Sequence, residues 1–186
     1  MRALAISGSL RADSHNARLL RHAAERAPVD VTFELFEGLR DIPPYDQDHD
    51  VEPWHPAVRH LRNEIAGADA LLIATPEYNA SIPGVLKNAI DWASRPVGAA
   101  ALTGKPAAVI GATTGIFGAV WAQADLRKVL STAGAQVIDS ELPVAKAHEA
   151  FDATDALRDP ALTERLDEIL EALCAPHGAA ALQPVS

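Results

Sequence analysis

The stretch Ala3–Leu20, "ALAISGSLRADSHNARLL", passes from a strand to a helix through small, hydroxylic and cationic residues. Ala3-Leu4-Ala5-Ile6 is an unbroken apolar run, the pattern of a strand covered on both faces. From residue 14 to 27, Ala17, Leu20, Ala24 and Ala27 recur at helical spacing, with Arg18, Arg21 and Glu25 off that stripe. A plain turn between the two needs only a glycine. Here Ser7, Gly8, Ser9, Arg11, Ser14 and Asn16 gather at the junction. A helix start leaves amide N–H groups unpaired and carries partial positive charge. Gly8 lets the backbone turn closely, the Ser9 and Ser14 hydroxyls and the Asn16 amide can donate, and Arg11 can add a charge-assisted bond. The set suits a terminal phosphate. A serine-capped helix, with Ser14 or Asp13 as cap, is the plainer reading of the same residues. There is no GxxxxGK[ST] and no GxGxxG, so a mononucleotide fits better than a dinucleotide.

Working outward, apolar runs or alternations at 31–35, 70–74, 106–112 and 137–144 predict further strands. Helical stripes follow Pro56, open at Ser81 and Pro83, run from Gly118 to a stop at Gly134, and begin again at Asp159-Pro160. Strand and helix alternate throughout. The fold class is therefore α/β: a doubly wound, five-stranded parallel sheet with helices on both faces. Residues 1–174 are expected to form one domain, and 175–186, rich in Ala, Gly and Pro, a flexible tail. In such sheets ligands collect at the carboxyl ends of the strands. The loops Ser7–Asn16, Thr75–Ser81 and Thr113–Gly118 leave those ends and are expected side by side.

The 186 residues carry a formal net charge of −9, which argues against nucleic acid or an anionic membrane as partner. The charge is uneven: residues 1–26 hold five Arg against two acids, and residues 27–69 hold ten acids against three Arg. Cys174 stands alone, so neither an internal disulfide nor a cysteine-held metal cluster can form in one chain. The first apolar run is too short for a signal-peptide core, and Val97–Gln123 is broken by Lys105-Pro106. A cytoplasmic location is expected. Asp46, Asp48 and Asp50 have the opening spacing of a calcium loop, but Val51 and Ala57 stand where it needs glycine and an acid. No metal site is expected.

The segment "TPEYNASIPGVLKNAIDWASRP", Thr75–Pro96, places a proline, an acid, an aromatic ring and an amide at a strand's carboxyl end. Tyr78 can line a flat ring and Asn79 can bond to it; a simple β-turn with Tyr78 on the core is the alternative. Together, "GSLRADSHN" and this segment resemble the two signature segments of the NADPH-dependent FMN reductase family. That family is flavodoxin-like in fold and includes quinone, chromate and azo-dye reductases. The resemblance runs from the first strand through the helix after Gly118, and "DIPPYDQD" also resembles a family loop.

By position, the resemblance implies that Ser9, Arg11, Ser14 and Asn16 bind FMN phosphate. It places Pro76, Glu77, Tyr78 and Asn79 along the isoalloxazine. Thr113, Thr114, Gly115 and Gly118, within "TTGIFG", stand on the ring's other side. Thr114 replaces a frequent proline, Ala119 and Trp121 a frequent Gly and Arg, and Asp125 a frequent His. The implied activity is hydride transfer from NADPH or NADH to flavin N5, then to a quinone-like, flavin, azo or metal-oxyanion acceptor in a ping-pong scheme. No side-chain nucleophile is needed, and Tyr78 and Asn79 are the nearest candidates to the chemistry. A homodimer or homotetramer is implied as well. The alternative is a flavodoxin-type electron carrier, whose phosphate loop usually lacks an arginine.

Overall fold

The computed structural model describes residues 1–175, and the expected tail at 176–186 lies outside the described residues. Six strands and six helices follow one another: β1 (Arg2–Ser7), α1 (His15–Glu25), β2 (Thr32–Phe36), α2 (Pro56–Gly67), β3 (Ala70–Thr75) and α3 (Gly84–Ala93). After them come β4 (Pro106–Ala112), α4 (Val120–Thr132), β5 (Gln136–Val137), β6 (Pro143–Val144), α5 (Ala147–Ala150) and α6 (Pro160–Cys174). All pairings in the sheet are parallel, in the order β2-β1-β3-β4-β5, with β6 also on β4. From β1 the chain crosses first to β2 on one side and later to β3 on the other. The crevice at the carboxyl ends of β1 and β3 is therefore the topological switch point.

The strand period of two divides the core. On β3, Leu71 and Ile73 face one cluster with Val58, Leu61, Leu86, Trp92, Leu126 and Leu130 of α2, α3 and α4. Ala70, Leu72 and Ala74 face the other, with Leu19, Leu20, Leu166 and Leu170 of α1 and α6. Trp92 belongs to the first, its indole N–H donating to the Pro43 carbonyl at 2.8 Å. At the sheet edge, Leu35 of β2 is exposed while Phe36 is buried, so the expected alternation of Phe33 and Leu35 does not hold through the strand. Among the described residues, no helix is long and apolar enough to cross a membrane.

The strand expected at 137–144 is not continuous. It is split into β5 and β6, and the cause lies on α4. The buried Gln123 amide accepts from Leu142 N–H at 3.0 Å and donates to the Leu142 and Gly118 carbonyls at 3.2 and 2.9 Å. Pro143 brings no N–H of its own. The Leu142 N–H thus turns to a side chain, while its carbonyl still also accepts from Gly111 N–H of β4 at 3.2 Å, and two short pairings replace one strand.

His22 on α1 is buried, and among the described residues neither ring nitrogen has a hydrogen-bond partner. Burial first, and Arg26 second, hold its pKa below the ordinary 6.5. The unfolded chain then takes up the proton first, so stability is complete above about pH 6.5 and declines as pH falls below it. Asp167, held below 3.8 by hydrogen bonding from Arg26, matters only in a lower window. His22→Leu is expected to reduce the loss of thermal stability between about pH 6.5 and pH 5. Thermal melts with an unchanged pH profile in that variant would contradict it.

Candidate functional site

The first loop leaves β1 pressed against the end of β3. Gly8 N–H donates to the Ala74 carbonyl at 2.8 Å. A Cβ at residue 8 would lie 3.0 Å from Leu86 Cδ2 and 3.3 Å from Pro76 Cδ, so only glycine passes there without displacement. Ser14 is the N-cap of α1: its hydroxyl oxygen accepts from Ala17 N–H at 3.3 Å, leaving the hydroxyl proton free to be donated. The first-turn amides of His15 and Asn16 have no partner among the described residues.

The Asn16 side chain is buried and bonded twice to Ala112 at the end of β4, donating to its carbonyl and accepting from its N–H, both at 2.9 Å. One amide hydrogen remains. Asn16 thus ties the start of α1 to the strand two places away in the sheet.

In the second loop, Tyr78 and Ser81 exchange backbone bonds of 3.0 and 3.1 Å around Asn79 and Ala80, whose φ values are 53° and 60°. Both central residues are left-handed, the signature of a type I′ turn, and Ala80 adopts that conformation at a steric cost. Two contacts hold this hairpin to α4. Ser81 donates to Asp125 at 2.8 Å. Glu77 accepts from Trp121 and Ala122 N–H at 3.1 Å each. The N-cap of α4 is Ala119, which has no side-chain oxygen, so Glu77 supplies the cap from another loop.

The third loop is held from behind. The Thr113 and Gly115 carbonyls accept from Ala147 and Lys146 N–H at 2.9 Å each. Gly118, with φ of 62°, packs against the Pro143 backbone too closely for any Cβ.

The three loops enclose one cavity of about 150 Å3. Ser9, Arg11, Ser14 and Asn16 line it from the first loop, Pro76, Glu77 and Tyr78 from the second, and Thr113 and Thr114 from the third. Asn79, Gly115 and Gly118 lie outside the lining. Ala112 and His15 line it without having been singled out in the sequence. His15 follows the cap directly, and its place at the first helical position was the available signal. Its Nδ1 is enclosed without a partner, and burial, then Arg18, Arg11 and His148, hold its pKa below the ordinary value.

The positive charge of the first 26 residues is mostly engaged elsewhere. Arg2 pairs with Glu34 and Glu64, Arg18 and Arg21 with Asp155, and Arg26 with Asp167. Among the described residues no ion pair engages Arg11. The cavity therefore presents an uncompensated guanidinium, hydroxyl donors and free helix amides, a donor set that matches a phosphate. A larger cavity of about 520 Å3 lies between the later turns of α3 and α4. None of the three loops contributes to it, and Lys87 on its wall is paired with Asp91 at 2.6 Å. In the acidic loop, Asp50 pairs with Arg62 at 2.7 Å and Asp46 accepts from Asp48 N–H at 3.0 Å.

Asn16→Ala strands two buried backbone groups, each costing about 1–3 kcal/mol. Urea unfolding is expected to show a loss of roughly 2–4 kcal/mol. A loss below about 0.5 kcal/mol, the scale of an ordinary surface change, would contradict the latch.

A family model described as NADPH-dependent FMN reductase matches residues 1–149. The chain is 43% identical over 174 residues, 93% of each chain, to an NAD(P)H-dependent FMN reductase of Pseudomonas aeruginosa. It is 48% identical over 124 residues, 67% of each chain, to a 2-hydroxy-1,4-benzoquinone reductase of a Burkholderia species. Among solved structures, a flavoenzyme NAD(P)H:(acceptor) oxidoreductase from Paracoccus denitrificans matches with a TM-score of 0.80 and 36% identity, over 92% of this chain and 94% of that one. The chain belongs to the NADPH-dependent FMN reductase family, a family of oxidoreductases.

Proposed function

We propose that this protein is an NAD(P)H-dependent FMN oxidoreductase that holds FMN where the three loops meet. In this reading it passes electrons to quinone-like, flavin, azo or metal-oxyanion acceptors in a ping-pong order. The observation that carries the reading is the donor set at the switch point: Arg11 without an ion pair, the Ser9 and Ser14 hydroxyls, and the open His15 and Asn16 amides around one cavity. The one acid in the lining, Glu77, has its carboxylate engaged by α4 amides, so it does not oppose an anion freely.

Bound FMN would supply a ring that accepts a hydride and returns two electrons. The chain's part is to bind and to orient. Ser9, Arg11, Ser14 and the remaining Asn16 hydrogen hold the phosphate. Pro76, Tyr78 and Asn79 border the ring from the hairpin, with Glu77 fixing the hairpin's seat on α4. Thr113, Thr114 and Gly115 border it from the third loop, and Gly118 sets that loop's turn against β6. Backbone N–H groups beside the ring favour negative charge on it, a preorganised-dipole effect. No nucleophile is required of the protein. A homodimer or homotetramer and a cytoplasmic location, where NAD(P)H is supplied, complete the reading. Ile116, Phe117 and Trp121, exposed beside the site, offer apolar area that a second copy would cover.

Purified protein is expected to be yellow or to become so with added FMN, and NADPH is expected to bleach that colour directly under anaerobic conditions. A requirement for a separate reductase would favour the electron-carrier alternative. Arg11→Ala removes a charge-assisted contact of about 1.5–3 kcal/mol, so FMN affinity is expected to fall roughly ten- to hundredfold with the fold unchanged by circular dichroism. Wild-type affinity in that variant would contradict the phosphate site.

A further inference from the structure

His15 is the one wall residue of the cavity whose side chain has a polar atom enclosed and unused. Its ring stacks parallel to Phe151, with centroids 6.4 Å apart and planes 3° apart, so it is held in place at the first position of α1. The residue lies between the cap, Ser14, and the latch, Asn16, which fixes its backbone as well. Resting on the FMN reading above, we propose that His15 is a phosphate ligand that takes up one proton from water as the phosphate monoester docks. FMN binding is then tighter at mildly acidic pH.

The charges around the ring decide the direction. Arg18, on the same helix, is paired with Asp155 at 2.7 Å. His148, on α5, contacts Glu149 at 3.2 Å. Across the cavity, the Glu77 carboxylate is bonded to α4 amides. Arg11, in the first loop, is the facing cation that no acid among the described residues pairs. Burial, then Arg18, Arg11 and His148, disfavour the protonated imidazole. A phosphate dianion neutralises Arg11 and adds further negative charge. Arg11 and His15 line the same small cavity, so an anion held by one lies within reach of the other's field. An opposite charge at about 4–6 Å raises a histidine pKa by roughly 1–3 units. Protonated, both ring nitrogens become donors, and the ring that lines the cavity carries a positive charge toward the anion.

The test compares the FMN-free wild type with His15→Phe, which keeps an aromatic ring on Phe151, and His15→Gln, which keeps a donor that does not titrate. Flavin affinities are measured by fluorescence quenching at about pH 8 and about pH 6.5, a range in which the phosphate stays largely dianionic. In the wild type, FMN affinity is expected to rise roughly five- to tenfold on acidification while riboflavin affinity stays flat. Both variants are expected to bind FMN with less than about twofold pH dependence. The His15 imidazole, followed by NMR, is expected to titrate higher with FMN than without it. An equal pH slope in His15→Phe, or an unmoved His15 titration, would overturn the proposal and leave the FMN reading standing. Failure of the wild type to bind either flavin would overturn both.

Discussion

The carboxamide of Asn16, bonded to both backbone groups of Ala112, is the constraint on which the site depends. A parallel sheet aligns the carboxyl ends of its strands, but alignment alone leaves the following loops free to diverge. The Asn16 latch fixes the start of α1 over the end of β4, and Gly8 N–H bonded to Ala74 fixes the preceding loop over the end of β3. The helix amides are thereby held at one rim, facing the loops after β3 and β4. An anion site made of helix amides has value only if those amides do not move when the anion arrives, since reorganisation would cancel the gain.

The second constraint is electrostatic. In the proposed reading a chain with a net charge of −9 receives a doubly charged group, and the charges are arranged for it locally. Arg2, Arg18, Arg21 and Arg26 brace the surface against Glu34, Glu64, Asp155 and Asp167, and Arg11 keeps its charge for the cavity. Glu77 shows the converse arrangement. Its negative charge sits at the positive end of α4, a favourable position for the helix. That contact and the Ser81–Asp125 bond carry the hairpin, so the left-handed Asn79 and Ala80 are maintained by ties on either side of the turn.

Much of this was legible in the residues. The apolar runs of β1, β3 and β4 and the stripes of α2 through α4 reflect local period and burial, which sequence records directly. On α1 the buried face is Leu19, Leu20 and Ala23 instead of the expected Ala17, Ala24 and Ala27, because Ser14 and Asn16 set the helix's rotation at its start. The convergence of the three loops follows from topology once those elements alternate. What was not legible depends on partners far along the chain. Pro143 marks an edge or a bend in 137–144, but the break before it also involves Gln123, on the preceding helix, which takes the Leu142 N–H. Glu77, expected along the ring, does line the cavity, and its carboxylate also caps a helix 44 residues away, which no neighbouring residue signals. The arginine-rich start looked like one positive field until the acids of α2, α6 and the segment before α6 were in place. His15 reads from the sequence as a surface or capping histidine, and its position after the cap gains meaning only with the cavity that the three loops form beside it.

The central claim is that an FMN phosphate occupies the cavity bounded by α1 and the loops after β1, β3 and β4. Backbone amide NMR during FMN titration of the flavin-free protein tests it most directly. The largest shifts should fall on Ser9–Ala17, Glu77–Asn79 and Thr113–Gly115, with the His15 and Asn16 amides moving as an N–H bonded to phosphate does. Shifts gathered instead along the groove between α3 and α4, with the start of α1 unmoved, would contradict it.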